Sequence, residues 1–407
     1  MRYVIIGNGG AGVRALQAIR EVDKKSDITI ISREKYPAYS PCSLPNLLSG
    51  EIEKPTIFRF EKKFYHHLNA MFMKNTTALQ IIPKSRRVQL SNGKSIIFDK
   101  LLIAAGAKPI TPKGIKGTDL DGVHIMGTLD STLDIVAQLK RGVNRVVVIG
   151  GGFMGVETAV MLKKRGITVY IVESLPHILL RMLDLDISEN VEEILLEHGI
   201  NLILNDTVNS INGEGTVKSV SLKKKKLYCD MVIIAVGVKP NIDILKGSHI
   251  TVNQGIIVDS TMQTNIKDIY AAGDIAEVRE QIVGRQGSFA IWPNAVEQGR
   301  IAGFNMAGKF TVYDGAEVIN VLDIFDTPVV AMGYTSKEIG KCKVMSRFTP
   351  HTFKKILLKN NRMVGLQFVG TIRNTGTFYS LMKKGSDVSN VRERLLDDNF
   401  VVAPTQK

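Results

Sequence analysis

The sequence predicts an α/β fold in which two doubly wound, Rossmann-like domains are followed by a C-terminal α+β domain. An apolar strand, a glycine-rich turn and a helix occur in that order twice, once at the start of the chain and again from Val146. From about residue 315 the pattern changes to strands and a single helix, which is typical of an α+β domain. The elements predicted there are strands at Val318–Ile324, Val329–Met332, Lys354–Leu358 and Met363–Phe368 and a helix at Phe378–Lys384.

The first of the two repeated segments opens the chain. A strand is predicted at Tyr3–Ile6, a helix from the glycine turn to about Glu21 and a second strand at Ile28–Ile31. The turn has the form Gly-x-Gly-x-x-Gly. Its candidate ligand-binding residues are Gly7, Gly9, Gly10, Ala11 and Gly12.

The second segment repeats this pattern in the middle of the chain. It has a predicted strand at Val146–Ile149, a helix to about Lys164 and a strand at Thr168–Val172. The candidate ligand-binding residues of its turn and helix are Gly150, Gly152, Phe153, Met154, Gly155 and Glu157.

Glycines at these three positions meet a specific physical need. The first permits the tight turn, the second lets the backbone approach a pyrophosphate, and the third lets the helix pack against the strand. The free N–H groups at the start of the helix attract negative charge. One match is weak evidence in a chain with 36 glycines. Two matches, each between a strand and a helix, predict two dinucleotide sites.

The residue that follows the second strand differs between the segments. A carboxylate there normally accepts hydrogen bonds from ribose hydroxyls. Glu173 holds this place in the second segment, and since its charge repels a 2′-phosphate, we expect NADH to be preferred over NADPH. In the first segment the place holds Ser32, followed by Arg33 and Glu34. Whether Ser32 or Glu34 binds the ribose is open.

A further pair of matching strands flanks the second segment. Each of them, Lys100–Pro109 and Met231–Pro240, is an apolar run interrupted by glycine and then proline. The chain is therefore expected to leave its first domain and return to it around the second segment. The predicted domains are residues 1–112 with 233–314, residues 113–232, and residues 315–407. Candidate binding residues at the strand ends are Ala104, Ala105, Gly106 and Gly237.

A third motif concerns the first domain. Thr264–Asp274 is a strand that ends in Ala272, Gly273 and Asp274. It resembles the second FAD fingerprint of flavoproteins with two dinucleotide domains, in which the aspartate binds the ribityl and pyrophosphate region. This resemblance implies FAD in the first domain, with Gly273 and Asp274 among its ligands, and NAD(H) in the inserted domain.

The loop after the strand Ile28–Ile31 carries one cysteine, Cys42, between Pro41 and Pro45. The prolines restrict the backbone, so the thiol is held in place. A helix is expected to begin after Pro45, and its N-terminus would favour the thiolate. Ser40, Pro41 and Cys42 are therefore candidate site residues.

The whole chain resembles the pyridine nucleotide–disulfide oxidoreductase superfamily, specifically its single-cysteine branch. The resemblance rests on the glycine turns and on the stretch Ser40-Pro-Cys42-Ser-Leu-Pro45. It implies a redox-active Cys42 next to the flavin, a C-terminal domain that forms a homodimer, and a helix after Trp292 that points at the flavin ring, with Asn294 and Ala295 as cofactor-binding residues. Lone cysteines in such sites alternate between thiolate, mixed disulfide, persulfide and sulfenic acid.

The chain departs from particular members of this branch. The peroxidases carry a histidine in the first turn where this chain has Gly10, which argues against that activity. The coenzyme A–disulfide reductases have a tyrosine-rich C-terminal motif, whereas residues 397–407 contain no tyrosine. Three hypotheses remain: an NADH-dependent reductase of a sulfur acceptor (coenzyme A disulfide, persulfide or polysulfide), an NADH oxidase that reduces oxygen, and a reductase of a small ferredoxin- or rubredoxin-type electron carrier.

Composition limits the expected ligands and the expected cellular location. The formal net charge is +14, without the aromatic-interleaved basic clusters of nucleic-acid binders, so phosphate-bearing ligands are the expected anions. The run Lys223–Lys226 is expected to be a solvated hairpin turn. No metal-ligand spacing occurs, no apolar run could span a membrane, and three scattered cysteines with no secretion signal predict a cytoplasmic protein. The candidates for neutralising coenzyme A phosphates are Arg14, Arg20, Lys62 and Lys63.

Overall fold

The computed structural model describes residues 1–58, 60 and 63–400. Its helices, in chain order, are α1 (Gly10–Val22), α2 (Leu44–Ser49), α3 (Phe64–His67), α4 (Leu129–Leu139), α5 (Phe153–Lys164), α6 (Leu185–Glu197), α7 (Trp292–Met306), α8 (Ser336–Ile339) and α9 (Thr375–Lys383).

The strands alternate with these helices in the first two thirds of the chain and dominate the last third. In chain order they are β1 (Arg2–Ile6), β2 (Asp27–Ile31), β3 (Ala70–Met73), β4 (Ala78–Ile82), β5 (Arg87–Leu90), β6 (Ser95–Ile97), β7 (Lys100–Ile103), β8 (Ala107–Pro109), β9 (Val123–Ile125), β10 (Arg145–Ile149), β11 (Thr168–Val172), β12 (Asn201–Ile203), β13 (Val208–Glu214), β14 (Thr216–Leu222), β15 (Lys226–Tyr228), β16 (Met231–Ile234), β17 (Val238–Pro240), β18 (Ile256–Ile257), β19 (Ile269–Ala271), β20 (Ala276–Arg279), β21 (Gln286–Gly287), β22 (Ile319–Ile324), β23 (Thr327–Gly333), β24 (Lys343–Thr349), β25 (Thr352–Lys359) and β26 (Arg362–Val369).

The first of two compact units is discontinuous and contains Met1–Ser43, Glu53–Lys108 and Val238–Glu317. Its parallel sheet has the order β19-β7-β1-β2-β3. This order places the first glycine turn at the carboxyl end of the central strand, where ligands bind in such sheets. Helices α1 and α7 pack backbone to backbone because Gly299 has no side chain; a Cβ there would lie 2.2 Å from the Ala11 oxygen.

The second unit contains Leu44–Ile52, Pro109–Gly237 and the residues from Val318 onward. Its parallel sheet has the order β12-β11-β10-β16-β9, and a separate antiparallel sheet has the order β22-β23-β26-β25-β24. A buried ion pair, Lys355 Nζ to Asp184 Oδ2 at 2.9 Å, joins the segment before α6 to the antiparallel sheet. Asp184 also accepts hydrogen bonds from Ser336 N–H and Oγ–H.

The strands and helices predicted around both glycine turns are confirmed to within one or two residues, as is the α/β class. The run Lys223–Lys226 forms a hairpin turn between antiparallel β14 and β15, as expected, with Lys226 as the first residue of β15. The helix predicted to begin after Pro45 is present as α2, but it begins two residues earlier, at Leu44, directly after a 3₁₀ turn at Pro41–Ser43. Strand β24 was not predicted, and the three domain boundaries stay a prediction.

Two kinds of feature are absent from the described residues. No helix among them has the length and apolar character needed to cross a membrane. Within the same residues, no group of three or more histidine, cysteine or acidic side chains is arranged to hold a metal ion.

Candidate functional site

The first glycine turn is held by backbone contacts that exclude side chains. Gly7 has φ +112°, and a Cβ atom there would lie 2.0 Å from the Ala104 oxygen. A Cβ atom at Gly12 would lie 1.9 Å from the Gly7 oxygen. At Gly9, by contrast, a Cβ atom would meet nothing within 4 Å, and no side chain caps the start of α1. The turn therefore leaves open space in front of uncapped helix N–H groups, which suits an anion.

The second turn repeats this geometry in the second unit. Gly150 has φ +111°, and its Cβ would lie 2.5 Å from the Ala235 oxygen. A Cβ at Gly155 would lie 1.9 Å from the Gly150 oxygen, whereas one at Gly152 would meet nothing within 4 Å. No side chain caps α5, which begins with Phe153 and Met154.

Glu173 lies directly against the second turn. Its Oε2 accepts a 2.6 Å hydrogen bond from Gly151 N–H, and its Oε1 accepts bonds from Leu175 N–H and Ser174 Oγ–H at 2.9 and 3.0 Å. These bonds fix the carboxylate at the carboxyl end of β11, and one lone pair remains, on Oε2. The position fits a ribose acceptor.

The corresponding place in the first unit has different chemistry. Ser32 is buried and its Oγ accepts a 3.2 Å bond from Glu34 N–H. Glu34 Oε2 accepts a 2.8 Å bond from Tyr39 Oη–H, while Arg33 is exposed. Both candidate acceptors therefore lie in one bonded loop, and the choice between them stays open.

The third motif forms a tight turn next to two helix starts. Gly273 has φ +80°, and a Cβ there would lie 3.2 Å from Ala11 Cβ and 3.5 Å from Ala295 Cβ. The turn thus lies between the first residues of α1 and α7. Burial raises the pKa of Asp274 to about 6. The carboxyl group receives a hydrogen bond from its own backbone but has no cation near it among the described residues.

Helix α7 begins with two residues of different roles. The side chain of Asn294 is bonded to the backbone of Glu317: its Nδ2–H donates to the Glu317 oxygen and its Oδ1 accepts from Glu317 N–H, both at 2.9 Å. These two bonds hold the start of the helix against the segment that follows it. Trp292 lies against the first glycine turn, with its ring 3.0 Å from where a Gly10 Cβ would be. Sequence reasoning did not detect this contact.

A glycine with positive φ lies in the turn after one strand of each parallel sheet. Gly106 has φ +62° and its oxygen accepts a hydrogen bond from Asn241 N–H; Ala104 and Ala105 connect it to β7. Gly237 has φ +107° and its oxygen accepts from Ile110 N–H. Such turns require positive φ, which only glycine adopts without strain.

Glu157 lies two residues beyond the last glycine of the second turn. Burial raises the pKa of its carboxyl group to about 7. Like Asp274, it is an acid close to a dinucleotide-type turn, and its environment disfavours its charge.

Cys42 is exposed on the 3₁₀ turn Pro41–Ser43. Two residues earlier, Ser40 is only 1% exposed, and its Oγ has no hydrogen-bond partner among the described residues. The loop that leads to the turn is fixed to the first glycine turn, since Tyr65 Oη–H donates to Asn8 Oδ1 at 2.7 Å and accepts from Ala38 N–H at 3.1 Å. Cys42 therefore lies on a loop that is fixed by hydrogen bonds, two residues from a buried hydroxyl group that has no hydrogen-bond partner among the described residues.

The prediction that Arg20 neutralises a ligand phosphate is wrong. Its side chain is 7% exposed and donates to the backbone oxygens of Leu68, Asp23, Ser26 and Asn69. Four of the five N–H donors of the guanidinium group are therefore bonded to the backbone within the chain.

The other predicted phosphate-binding residues have different environments. Arg14 pairs with Glu21 at 2.9 Å, Lys63 is exposed and Lys62 lies outside the described residues.

These residues fit a flavin dinucleotide, on three observations. The pyrophosphate would meet open space at Gly9 and an uncapped helix. Asp274 is an acid with no cation near it in the described part of the chain, which suits sugar or ribityl hydroxyls. Ser40 offers a hydroxyl group that has no hydrogen-bond partner among the residues the structure describes. The chain thus has two parallel sheets, each with a dinucleotide-type turn, and the first sheet lies in the same unit as an exposed cysteine. This combination defines a flavin- and nicotinamide-dependent oxidoreductase.

Comparison with known proteins gives the family. The chain belongs to the pyridine nucleotide-disulphide oxidoreductases, whose family model matches residues 1–299. It is 33% identical over 393 residues to an NADH oxidase of Methanocaldococcus jannaschii, covering 91% of this chain and 88% of that protein. It is 32% identical over 397 residues to a CoA-dependent NAD(P)H sulfur oxidoreductase of Pyrococcus abyssi, covering 90% and 86%.

A solved structure agrees with this assignment. The NAD-dependent persulfide reductase of A. fulgidus superposes with a TM-score of 0.91 at 26% identity, covering 99% of this chain and 80% of that one. Membership of the family makes the protein an FAD-dependent NAD(P)H oxidoreductase and confirms FAD and NAD(H) as its cofactors.

Proposed function

We propose that the protein passes reducing equivalents from NADH through FAD to a sulfur acceptor, namely coenzyme A disulfide, a persulfide or a polysulfide, by way of Cys42. The observation that carries this proposal is the exposed Cys42 on a fixed turn of the unit that holds the first glycine turn. The sulfur-reducing activities named for the Pyrococcus abyssi and A. fulgidus proteins support it.

The proposed sites divide by unit. The FAD site comprises Gly7, Gly9, Gly10, Ala11, Gly12, Ser32, Arg33, Glu34, Ser40, Pro41, Ala104, Ala105, Gly106, Gly273, Asp274, Asn294 and Ala295. The NAD(H) site comprises Gly150, Gly152, Phe153, Met154, Gly155, Glu157, Glu173 and Gly237, with Glu173 favouring NADH.

The proposed reaction gives specific tasks to Cys42, to Glu173 and to the starts of α1 and α5. FAD, when bound, supplies hydride acceptance from NADH and two-electron transfer to sulfur. The Cys42 thiolate attacks one sulfur of the acceptor, so that a Cys42–sulfur bond forms, the acceptor's sulfur–sulfur bond breaks and the other sulfur leaves as a thiolate. Uncapped N–H groups of α1 and α5 bind the pyrophosphates, and Glu173 holds the ribose.

Replacement of the proposed nucleophile tests this function. We expect Cys42→Ser to reduce NADH-driven reduction of coenzyme A disulfide and polysulfide at least about 100-fold, since serine cannot form the exchangeable sulfur bond. NADH oxidation with an artificial dye should continue at wild-type rates. The control is Cys229→Ser, because Cys229 is buried and burial raises the pKa of its thiol to about 12. Wild-type sulfur reduction by Cys42→Ser would contradict the proposal.

A second candidate is an NADH oxidase, favoured by the name of the Methanocaldococcus jannaschii relative. Oxygen would then be the acceptor, and Cys42 would not need to exchange sulfur bonds. Oxygen consumption with NADH, measured in wild type and in Cys42→Ser, separates the two: wild-type turnover with oxygen that exceeds turnover with every sulfur acceptor favours the oxidase.

The assembly and location are part of the proposal. We propose a cytoplasmic homodimer formed through the antiparallel sheet, in which Val321 on edge strand β22 and Val344 and Phe348 on edge strand β24 are exposed apolar residues. Sedimentation equilibrium should give twice the chain mass of 44.8 kDa. A monomer would contradict this part.

A further inference from the structure

A buried hydrogen-bond network connects the Gly273 turn to helix α7. Gln298 is 1% exposed, and its Oε1 accepts a 2.8 Å hydrogen bond from Gly273 N–H. Its Nε2–H donates to Tyr313 Oη at 3.3 Å, and Tyr313 Oη–H donates to Asn294 Oδ1 at 3.4 Å. Three side chains from two segments thus form a chain of hydrogen bonds that reaches the turn before Asp274 through Gln298.

The network completes the backbone bonding around Asp274. The Gly273 oxygen accepts from Ala276 N–H at 2.8 Å, and the Asp274 oxygen accepts from Ser288 Oγ–H at 2.7 Å. Gln298 supplies the acceptor for Gly273 N–H, the group immediately before the acid. With these three bonds made, the backbone that carries the Asp274 carboxyl group is fixed from both sides.

The same network fixes the start of α7. Asn294 Oδ1 accepts from Tyr313 and from Glu317 N–H, so the first turn of the helix is bonded to the segment that follows it. Gln298 is one helical turn further along and lies on the same face as Asn294. The side chain of one residue therefore acts on both elements proposed to meet the flavin, namely the Asp274 turn and the start of α7.

Packing alone does not require an amide at this position. A buried amide is costly unless both its donor and its acceptor are bonded, and an apolar side chain of similar size would fill the same space. Gln298 has both groups bonded, one to a backbone N–H at a positive φ residue and one to Tyr313. Its chemistry is thus used to orient a turn.

We propose that Gln298, supported by Tyr313, is a positioning residue for the flavin cofactor, acting through Gly273 and Asn294 without touching the cofactor itself. This inference rests on the proposed placement of FAD at the Gly273–Asp274 turn. It predicts that the affinity for FAD depends on the bonding capacity of residue 298 and not only on its size.

The test measures the FAD dissociation constant by titrating apoprotein with FAD, together with the free energy of unfolding of the apoprotein. We expect Gln298→Leu to weaken FAD binding at least about tenfold, and Tyr313→Phe about threefold. Gln298→Glu should retain more affinity than Gln298→Leu, because its carboxylate still accepts from Gly273 N–H, although it can bond Tyr313 only by taking the hydroxyl proton that Tyr313 donates to Asn294.

The matched control lies on the same helix. Asn305 Nδ2–H donates to the oxygens of Thr261, Ile301 and Thr311, and Oδ1 accepts from Thr311 N–H, away from the Gly273 turn. Asn305→Ala should lower the stability of the apoprotein and leave the FAD dissociation constant unchanged. Equal weakening of FAD binding by Asn305→Ala and Gln298→Leu would overturn the proposal, as would wild-type affinity in Gln298→Leu.

A further variant separates this inference from the site on which it depends. Asp274→Asn removes the proposed FAD ligand itself. If Asp274→Asn binds FAD as wild type does, the placement of FAD at this turn is wrong. If Asp274→Asn weakens binding and Gln298→Leu does not, the placement stands and the positioning role of Gln298 is overturned.

Discussion

The two glycine turns, one in each unit, are built by the same backbone contacts. Gly7 N–H donates to the Ile31 oxygen and Gly150 N–H donates to the Val172 oxygen, both at 2.9 Å. In each turn the first glycine has a positive φ near 110° and the third approaches the first within van der Waals distance. The requirements of the turn itself are therefore repeated without change.

The side chains around the turns differ. The residue after the second strand is Ser32 in the first unit and Glu173 in the second. The residue after the second glycine is Gly10, packed against Trp292, in the first unit and Phe153 in the second. Backbone geometry thus defines the class of site, whereas side chains adapt each copy to its own ligand.

The largest predicted effect is on the free energy of unfolding, and it differs between two kinds of glycine in each turn: those packed against backbone and those that face open space. Gly12→Ala and Gly155→Ala should each lower the free energy of unfolding by about 4 kcal/mol or more, because the new Cβ would lie 1.9 Å from a backbone oxygen. Gly9→Ala and Gly152→Ala should stay within about 1 kcal/mol of wild type, since nothing lies within 4 Å and both residues have negative φ. Urea unfolding measures all four.

Ligand binding in the tolerated variants completes this comparison. Gly9→Ala should lose FAD affinity while binding NADH normally, and Gly152→Ala should do the reverse. Loss of both ligands in either variant would mean that the two turns do not act as separate sites.

A second prediction concerns the partly buried acid near each turn. The folded pKa of Asp274 is about 6 against 3.8, and that of Glu157 is about 7 against 4.5. A raised folded pKa means that stability is fully present below the unfolded pKa and is lost as pH rises through the folded one. Relative to wild type, apoprotein Asp274→Asn and apoprotein Glu157→Gln should therefore each gain about 3 kcal/mol between pH 4 and pH 9.

The pH windows distinguish the two variants. The gain for Asp274→Asn should develop between about pH 4 and 7, and that for Glu157→Gln about one unit higher. Denaturant unfolding of the apoproteins across this range measures both. A stability difference that does not vary with pH would show that these acids are not desolvated in the folded protein.

The sequence was informative wherever local pattern determines structure. The turns, their flanking strands and the motif at Asp274 follow from glycine spacing and apolar runs, because these depend on residues close together in the chain. Contacts between distant segments were not predictable in this way. Trp292 packs on Gly10 and Gln298 bonds to Gly273 only because α7 folds back onto α1.

The partners of charged side chains were the least predictable part of the structure. Arg20 looks like any surface arginine in the sequence, yet its guanidinium group bonds four backbone oxygens. Lys355 lies in an apolar strand and forms a buried pair with Asp184, which is 171 positions away and carries no local signal. The partner of a charged group is set by tertiary structure, which net charge does not reveal.

The smallest predicted effect is on stability. It tests why position 10 of the first turn is a glycine, whereas Phe153 occupies the equivalent position of the second turn. Gly10→Ala should cost about 1 kcal/mol, because the new Cβ would lie 3.0 Å from the Trp292 ring and the ring must shift slightly. The close atoms belong to the outer ring of the indole, which phenylalanine lacks. The double variant Gly10→Ala with Trp292→Phe should therefore recover that cost relative to Trp292→Phe alone, a coupling of about 1 kcal/mol in a double-mutant cycle. Additive effects would show that Trp292 does not restrict position 10. A coupling energy of this size would mean that Trp292 limits the size of residue 10. A larger side chain in this turn, such as the histidine of the peroxidase branch, would then require a different residue at position 292.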